Sequence, residues 1–242
     1  MHAMILDEKL NFVWAEVTDP KPREGEVLLR VHAAAVNRAD LMQKDGCYAS
    51  PEGWPQWCGL EVSGEIVTAP TDSGFKAGDR VCALLGGGGY SELVTVPAGM
   101  VIPIPEGLSM IEAASLPEVW STVYLNLEYE AGGLKKDDVF YMQAGASGVG
   151  LAAIQYAKLS GATVITTIDS PEKASFVKKN WRGFRARLPY RGCSPGDRGA
   201  SRHRCTGLHR RQNDGREFQK HGIRRPLDYD RHNGRCGNLN QP

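Results

Sequence analysis

The sequence predicts an α/β protein whose N-terminal part is built from β-strands. Three observations carry that prediction. Short runs that alternate apolar and polar residues, punctuated by Gly and Pro, fill the chain up to Pro97. A strand–glycine loop–helix–strand series then occupies 137–168 and implies a parallel sheet. Beyond Lys179 the residues of a core run out: Val177 is the last valine, and Ile223 is the single isoleucine of the remaining 63 residues.

The elements follow in order. Residues 24–37, EGEVLLRVHAAAVN, read as a strand entered from a turn. Residues 60–70, LEVSGEIVTAP, alternate with β-branched positions and read as a second strand. Residues 73–85 are a Gly-Asp turn and a strand, and 86–97 a glycine run, a strand and a terminating proline. The run Gly86–Gly89 is expected to be a flexible hairpin. Ser109 with Glu112 forms a capping box that opens a helix. Pro117 interrupts that helix, helical spacing resumes over 118–130, and Gly132-Gly133 ends it. Residues 137–143 form a short apolar strand, 149–162 an Ala- and Leu-rich helix closed near Gly161, and 163–168 a β-branched strand.

Between strand and helix lies QAGASGVG, residues 143–150. A pyrophosphate needs close backbone approach, free N–H groups and the positive end of a helix, which glycines at a helix start provide. Gly145, Ala146, Ser147, Gly148 and Val149 are therefore candidate cofactor contacts. The spacing is GxxGxG rather than the strict dinucleotide order, and a tight turn with close helix packing is the competing reading. Asp169, at the end of the next strand, suits ribose hydroxyls, whereas Ser170 and Lys173 suit a 2′-phosphate. The two features point to NADH and NADPH respectively.

Composition excludes several classes. The net charge is +1, with 41% apolar and 24% charged residues, the balance of an ordinary globular protein. No run of 18 apolar residues exists, and the N-terminus does not read as a signal peptide, so a cytoplasmic protein with no membrane partner is expected. The six cysteines are scattered without a CxxC pair, which indicates thiols rather than a disulfide framework or zinc cluster.

The motifs VNRADLMQKDGCY (36–48), GLEVSGEI (59–66), AGDRVCALLGGGGYSELVTVP (77–97), PEVWSTVY (117–124) and AGASGVGLAAIQYAKLSGA (144–162) stand in a recognisable order. On them, residues 1–179 resemble the zinc-free, zeta-crystallin-like quinone oxidoreductases of the medium-chain dehydrogenase/reductase superfamily. The resemblance implies a GroES-like catalytic domain over 1–112 and part of a Rossmann NADP-binding domain over 113–179. It implies NADPH as cofactor, a quinone or related electron-poor carbonyl as acceptor, and a homodimer. Zinc-dependent relatives carry a cysteine near position 37 and Gly-His-Glu at 59–61; here Asn37 and Gly59-Leu60-Glu61 stand there, so no metal is expected. By the same resemblance Asn37 and Tyr48 contact the nicotinamide and substrate, both able to hydrogen-bond a carbonyl, and Thr122 lies near the nicotinamide. Asn37 also reads as a turn cap, Tyr48 and Thr122 as packing residues, and Asp40 as a helix-cap acid or an orienting group.

The match ends at Lys179. Residues 1–179 hold four arginines and 180–242 hold fourteen. So little branched aliphatic content cannot bury enough surface to order a chain, so an unstructured Arg/Gly-rich tail is expected over 180–242. A reading-frame change near codons 178–180 accounts for the break; an inert basic tail and a nucleic-acid-binding arm are the other readings. Irregular prolines and interspersed acids speak against the arm. A part-sheet with exposed edges leads one to expect poor solubility, impaired reductase activity and a weakened dimer. A non-catalytic nucleotide-binding or interaction protein is the alternative function.

Overall fold

The computed structural model describes residues 1–180 and, beyond them, the backbone of two short strands at 185–187 and 209–211. The remainder of the expected tail lies outside the described residues. Contacts divide the chain into two units, one comprising Met1–Glu118 and one beginning at Val119.

The first unit opens with an antiparallel hairpin, β1 (His2–Leu6) and β2 (Phe12–Glu16). Its main sheet has five antiparallel strands: β3 (Glu26–Ala34), β4 (Glu61–Thr68), β5 (Arg80–Leu84), β6 (Leu93–Pro97) and β7 (Val101–Pro103). Their order is β6-β3-β4-β5-β7. Period-two alternation sends Val27 and Leu29 of β3, Val62 and Ile66 of β4, Val81 and Ala83 of β5, and Val94 and Val96 of β6 into one core. Two shifts in the β3–β4 register, at Leu28/Leu29 and Val31/Ala33, add twist to the sheet. Helix α1 (Arg38–Lys44) follows β3, and α2 (Met110–Ala113) starts at Ser109, whose hydroxyl accepts the Glu112 N–H at 3.3 Å. The Glu112 carboxylate returns the bond to Ser109 N–H at 2.9 Å, so the expected capping box is present.

The glycine run is not a flexible hairpin. Gly87, Gly88 and Gly89 are buried. A Cβ on Gly86 would come within 2.7 Å of the Trp54 ring, and one on Gly88 within 2.6 Å of Pro55. The run is a tight crossing of two chain segments.

Helix α3 (Pro117–Val123) restarts at the proline and continues as a π-helical stretch, Tyr124–Glu130, before Gly132 and Gly133, both with positive φ. The second unit then holds β8 (Val139–Met142), α4 (Gly148–Leu159), β9 (Thr163–Thr167) and α5 (Pro171–Asn180). β8 and β9 are parallel and are joined by the crossover through α4. Ala152, Ala153 and Ala157 of α4 are buried with Phe140, Met142 and Val164 of the strands; small side chains let the helix lie close on the sheet. Two further strands flank this pair. β10 (Arg185–Arg187) runs parallel to β9, and β11 (His209–Arg211) antiparallel to β8. Both strands fall within the span expected as an Arg/Gly-rich tail, the rest of which lies outside the described residues.

Candidate functional site

In the first unit the site grows from the start of α1. The Asn37 N–H donates to Asp40 Oδ2 at 2.6 Å, the reciprocal half of a capping box. Asp40 Oδ1 accepts the Gly59 N–H at 3.0 Å. Asp40 is buried, so the expected cap acid also ties the helix to the segment before β4. Gly59 has φ +111°, and a Cβ there would lie 2.4 Å from the Tyr90 nitrogen, so no larger residue fits.

Glu61 is the second buried carboxylate. Its Oε1 accepts Asn37 Nδ2 at 2.8 Å, and its Oε2 accepts the Glu118 N–H in the first turn of α3 at 2.9 Å. Burial pushes its carboxyl up, the two hydrogen bonds pull it back, and Asp40 adds repulsion. Burial likewise pushes up Glu118, with Glu61 and Asp40 adding to the effect. The Tyr90 phenol is driven well above its usual range by burial and by Asp40, and its hydroxyl donates to Ala35 O at 3.4 Å. Cys58 and Cys82 are buried free thiols whose ionisation burial opposes. The expectation of thiols fails at Cys47, which is disulfide-bonded.

Leu60, where zinc-dependent relatives would carry histidine, is 2% exposed and part of the apolar interior. Tyr48 sits in the loop after α1, 43% exposed, and outside this buried cluster. The arrangement therefore holds Asn37 on both backbone and side chain. Glu61, Tyr90 and Glu118 were not singled out from sequence. The one available signal was an acid inside an otherwise apolar strand, which at Glu61 marks a buried, paired carboxylate.

In the second unit the glycine loop joins β8 to α4. Ala144 has φ +54°, rare for a residue with a Cβ, and its carbonyl accepts the Ser147 N–H at 2.9 Å. Ser147 caps α4, its hydroxyl accepting the Gly150 N–H at 3.0 Å. The Gly145 N–H donates to Thr167 O at 3.0 Å. A Cβ on Gly145 would stand 2.3 Å from Thr166 Oγ1, and one on Gly150 2.6 Å from Ala144 O. Two of the three glycines are thus required by packing within the loop itself, in addition to any ligand. Gly148 faces Val119, 3.2 Å from its ideal Cβ, and Ala146 and Val149 pack partly on the core. The amides of Gly148 and Val149 lie in the first turn of α4, where helix geometry supplies no internal acceptor. Thr122 is half-buried in α3, its carbonyl accepting from Asn126 Nδ2 at 2.8 Å.

Ser170 caps α5, accepting the Lys173 N–H at 3.3 Å. Lys173 Nζ meets Asp169 Oδ2 at 2.8 Å, and this hydrogen bond holds the Asp169 carboxyl below its usual range. Among the described residues no group of three His, Cys, Asp or Glu side chains is arranged to hold a metal ion, and no helix is long and apolar enough to cross a membrane.

Known proteins share both units. Residues 23–106 match the model of the alcohol dehydrogenase GroES-like domain. The chain has the fold of the medium-chain dehydrogenase/reductase superfamily. It is 35% identical over 174 residues to the synaptic vesicle membrane protein VAT-1 homolog of Rattus norvegicus, covering 72% of this chain and 43% of that protein. It is 33% identical over 177 residues to a quinone oxidoreductase of Pseudomonas aeruginosa, covering 72% of this chain and 53% of that one. The quinone oxidoreductase of Thermus thermophilus, solved also with NADPH, superposes with a TM-score of 0.65 at 33% identity, over 78% of this chain and 60% of its own. The chain spans about half the length of these curated relatives. The superfamily fold accounts for the antiparallel sheet of the first unit and the β8–α4–β9 unit of the second.

Proposed function

We propose that the chain is an NADPH-dependent reductase that transfers hydride to quinones or related electron-poor carbonyl acceptors. The observation that carries this reading is Asn37: its amide is held by buried Glu61 where zinc-dependent relatives place a cysteine ligand. An amide donor suits an acceptor that needs orientation rather than strong Lewis-acid polarisation.

The loop fits a dinucleotide. The first-turn amides Gly148 and Val149, with the α4 N-terminus behind them, suit a pyrophosphate, and Ser147 keeps a hydroxyl proton to give while its oxygen caps the helix. Ser170 and Lys173 would take the 2′-phosphate, and Thr122 would lie at the nicotinamide. NADPH when bound supplies the hydride. Asn37 and Tyr48 would orient the acceptor by hydrogen bonds to its carbonyl oxygen. The fold around Asp40 and Glu61 keeps the Asn37 backbone and side chain in place. Residues 1–180 carry these groups; a cytoplasmic location follows from the same reading.

The test is loss of the absorbance of reduced nicotinamide when the full chain is mixed with NADPH and 1,4-benzoquinone. Turnover that falls with Asn37→Ala supports the reading. Saturable NADPH binding without oxidation by any quinone would overturn it in favour of a non-catalytic nucleotide-binding protein.

A further inference from the structure

The Asn37 amide is committed on its nitrogen side. Its Nδ2 donates to Glu61 Oε1 at 2.8 Å, while the Asp40 N–H donates to the Asn37 main-chain oxygen at 3.2 Å. An ionised carboxylate only accepts, so only one orientation of the amide satisfies Glu61. Glu61 is equally constrained. It is 1% exposed, and its Oε2 accepts the Glu118 N–H at 2.9 Å, which leaves Oε1 to Asn37. The second N–H on Nδ2 is not used by Glu61.

We propose that Glu61 is a positioning residue that fixes the Asn37 amide so that the second N–H of its Nδ2 is offered to a bound acceptor. For its functional consequence this rests on the reading of Asn37 as the carbonyl contact. A quinone carbonyl, which only accepts, takes that N–H.

The arrangement predicts an exchange of roles that a generic packing residue would not show. In Asn37→Asp, the new carboxylate faces the Glu61 carboxylate. In Glu61→Gln, the amide oxygen must take the Glu118 N–H, so its NH2 meets the Asn37 NH2. Each single variant mismatches like with like. In the double variant a donor at 61 meets an acceptor at 37, and every group is paired again. All substitutions are isosteric.

The experiment is thermal unfolding of the full chain as a double-mutant cycle, with steady-state kinetics alongside. Each single variant is expected to lower the apparent Tm by roughly 5 °C, and the double variant to return within about 2 °C of wild type. The double variant, though stable, has no N–H left for a carbonyl, so its kcat/KM with 1,4-benzoquinone stays down at least about tenfold. Additive losses of Tm would overturn the assignment of orientation. A double variant with wild-type kcat/KM would overturn the donor role. If the wild type oxidises NADPH with no quinone, the quinone reading fails, and the unfolding cycle still decides whether Glu61 orients Asn37.

Discussion

Lys173 Nζ lies 2.8 Å from Asp169 Oδ2, one turn apart across the start of α5, so two residues that argue for opposite cofactors are each other's partners. Both are exposed, and a pair of this kind contributes little to folding. On the proposed function its weight falls on recognition: a 2′-phosphate would have to compete with Asp169 for the lysine, and ribose hydroxyls with the lysine for Asp169.

Asp169→Asn removes that competitor and leaves a smaller neutral group beside Lys173. The ratio of kcat/KM for NADPH over NADH is expected to rise roughly tenfold, the scale of one charge-assisted contact. The unfolding midpoint should hardly move. Parallel assays with the two cofactors decide it, and a ratio that falls would show that Asp169 does not face the 2′ position.

Gly145→Ala would drive a methyl onto Thr166, whose Oγ1 and Cγ2 lie 2.3 and 2.6 Å from the ideal Cβ. Thr166 is fully buried between strand and helix, so relief requires backbone movement. A loss of about 1–3 kcal/mol in urea denaturation is expected, with part recovered by adding Thr166→Ala. An unchanged midpoint would mean that the loop can shift and that its glycine serves a ligand alone.

Asp40→Asn keeps the shape and removes one acceptor. Asp40 receives the N–H groups of Asn37 and Gly59 on its two oxygens, so an amide there must turn its NH2 toward one of them. The unsatisfied buried donor is expected to cost about 1–3 kcal/mol, measured by urea denaturation. A loss in the range of an exposed substitution would refute the two-sided contact.

Glu118→Gln tests the electrostatics of the buried carboxylates. Burial raises the Glu118 carboxyl above its ordinary 4.5, and neighbouring Glu61 and Asp40 raise it further. A raised folded value means that the native state holds its proton longer than the unfolded chain. Its favourable contribution is therefore present below pH 4.5 and lost as pH rises through the folded value. The variant should match wild type near pH ~4 and gain relative stability toward pH ~8. Exposed Asp7, Glu92 and Glu112 shift the other way, held down chiefly by hydrogen bonds, and both proteins share them. A stability gap independent of pH would show that Glu118 titrates as in water.

Much of the fold follows from the sequence by itself. Ser109 and Glu112 bond across a single turn, Pro117 and Gly132-Gly133 bound the next helical stretch, and the β-branched run after Gly161 becomes β9. These signals are local: alternation, capping and turn chemistry act within a few residues, so short-range patterns reveal them. Even the Asp169–Lys173 pair is legible as an i,i+4 spacing. The candidate site is different. Glu61 meets Asn37 and Glu118 from 24 and 57 residues away, and Gly59 is glycine because Tyr90 crosses it. The glycine run 86–89 reads as flexibility and is instead a packed crossing against Trp54 and Pro55. Gly145 and Gly150 read as a phosphate cradle, yet Thr166 and Ala144 already demand them. Such requirements arise from surfaces that meet only after the strands pair and the helices dock. A carboxylate becomes buried, and an amide acquires one permitted orientation, only when distant segments of chain close around it.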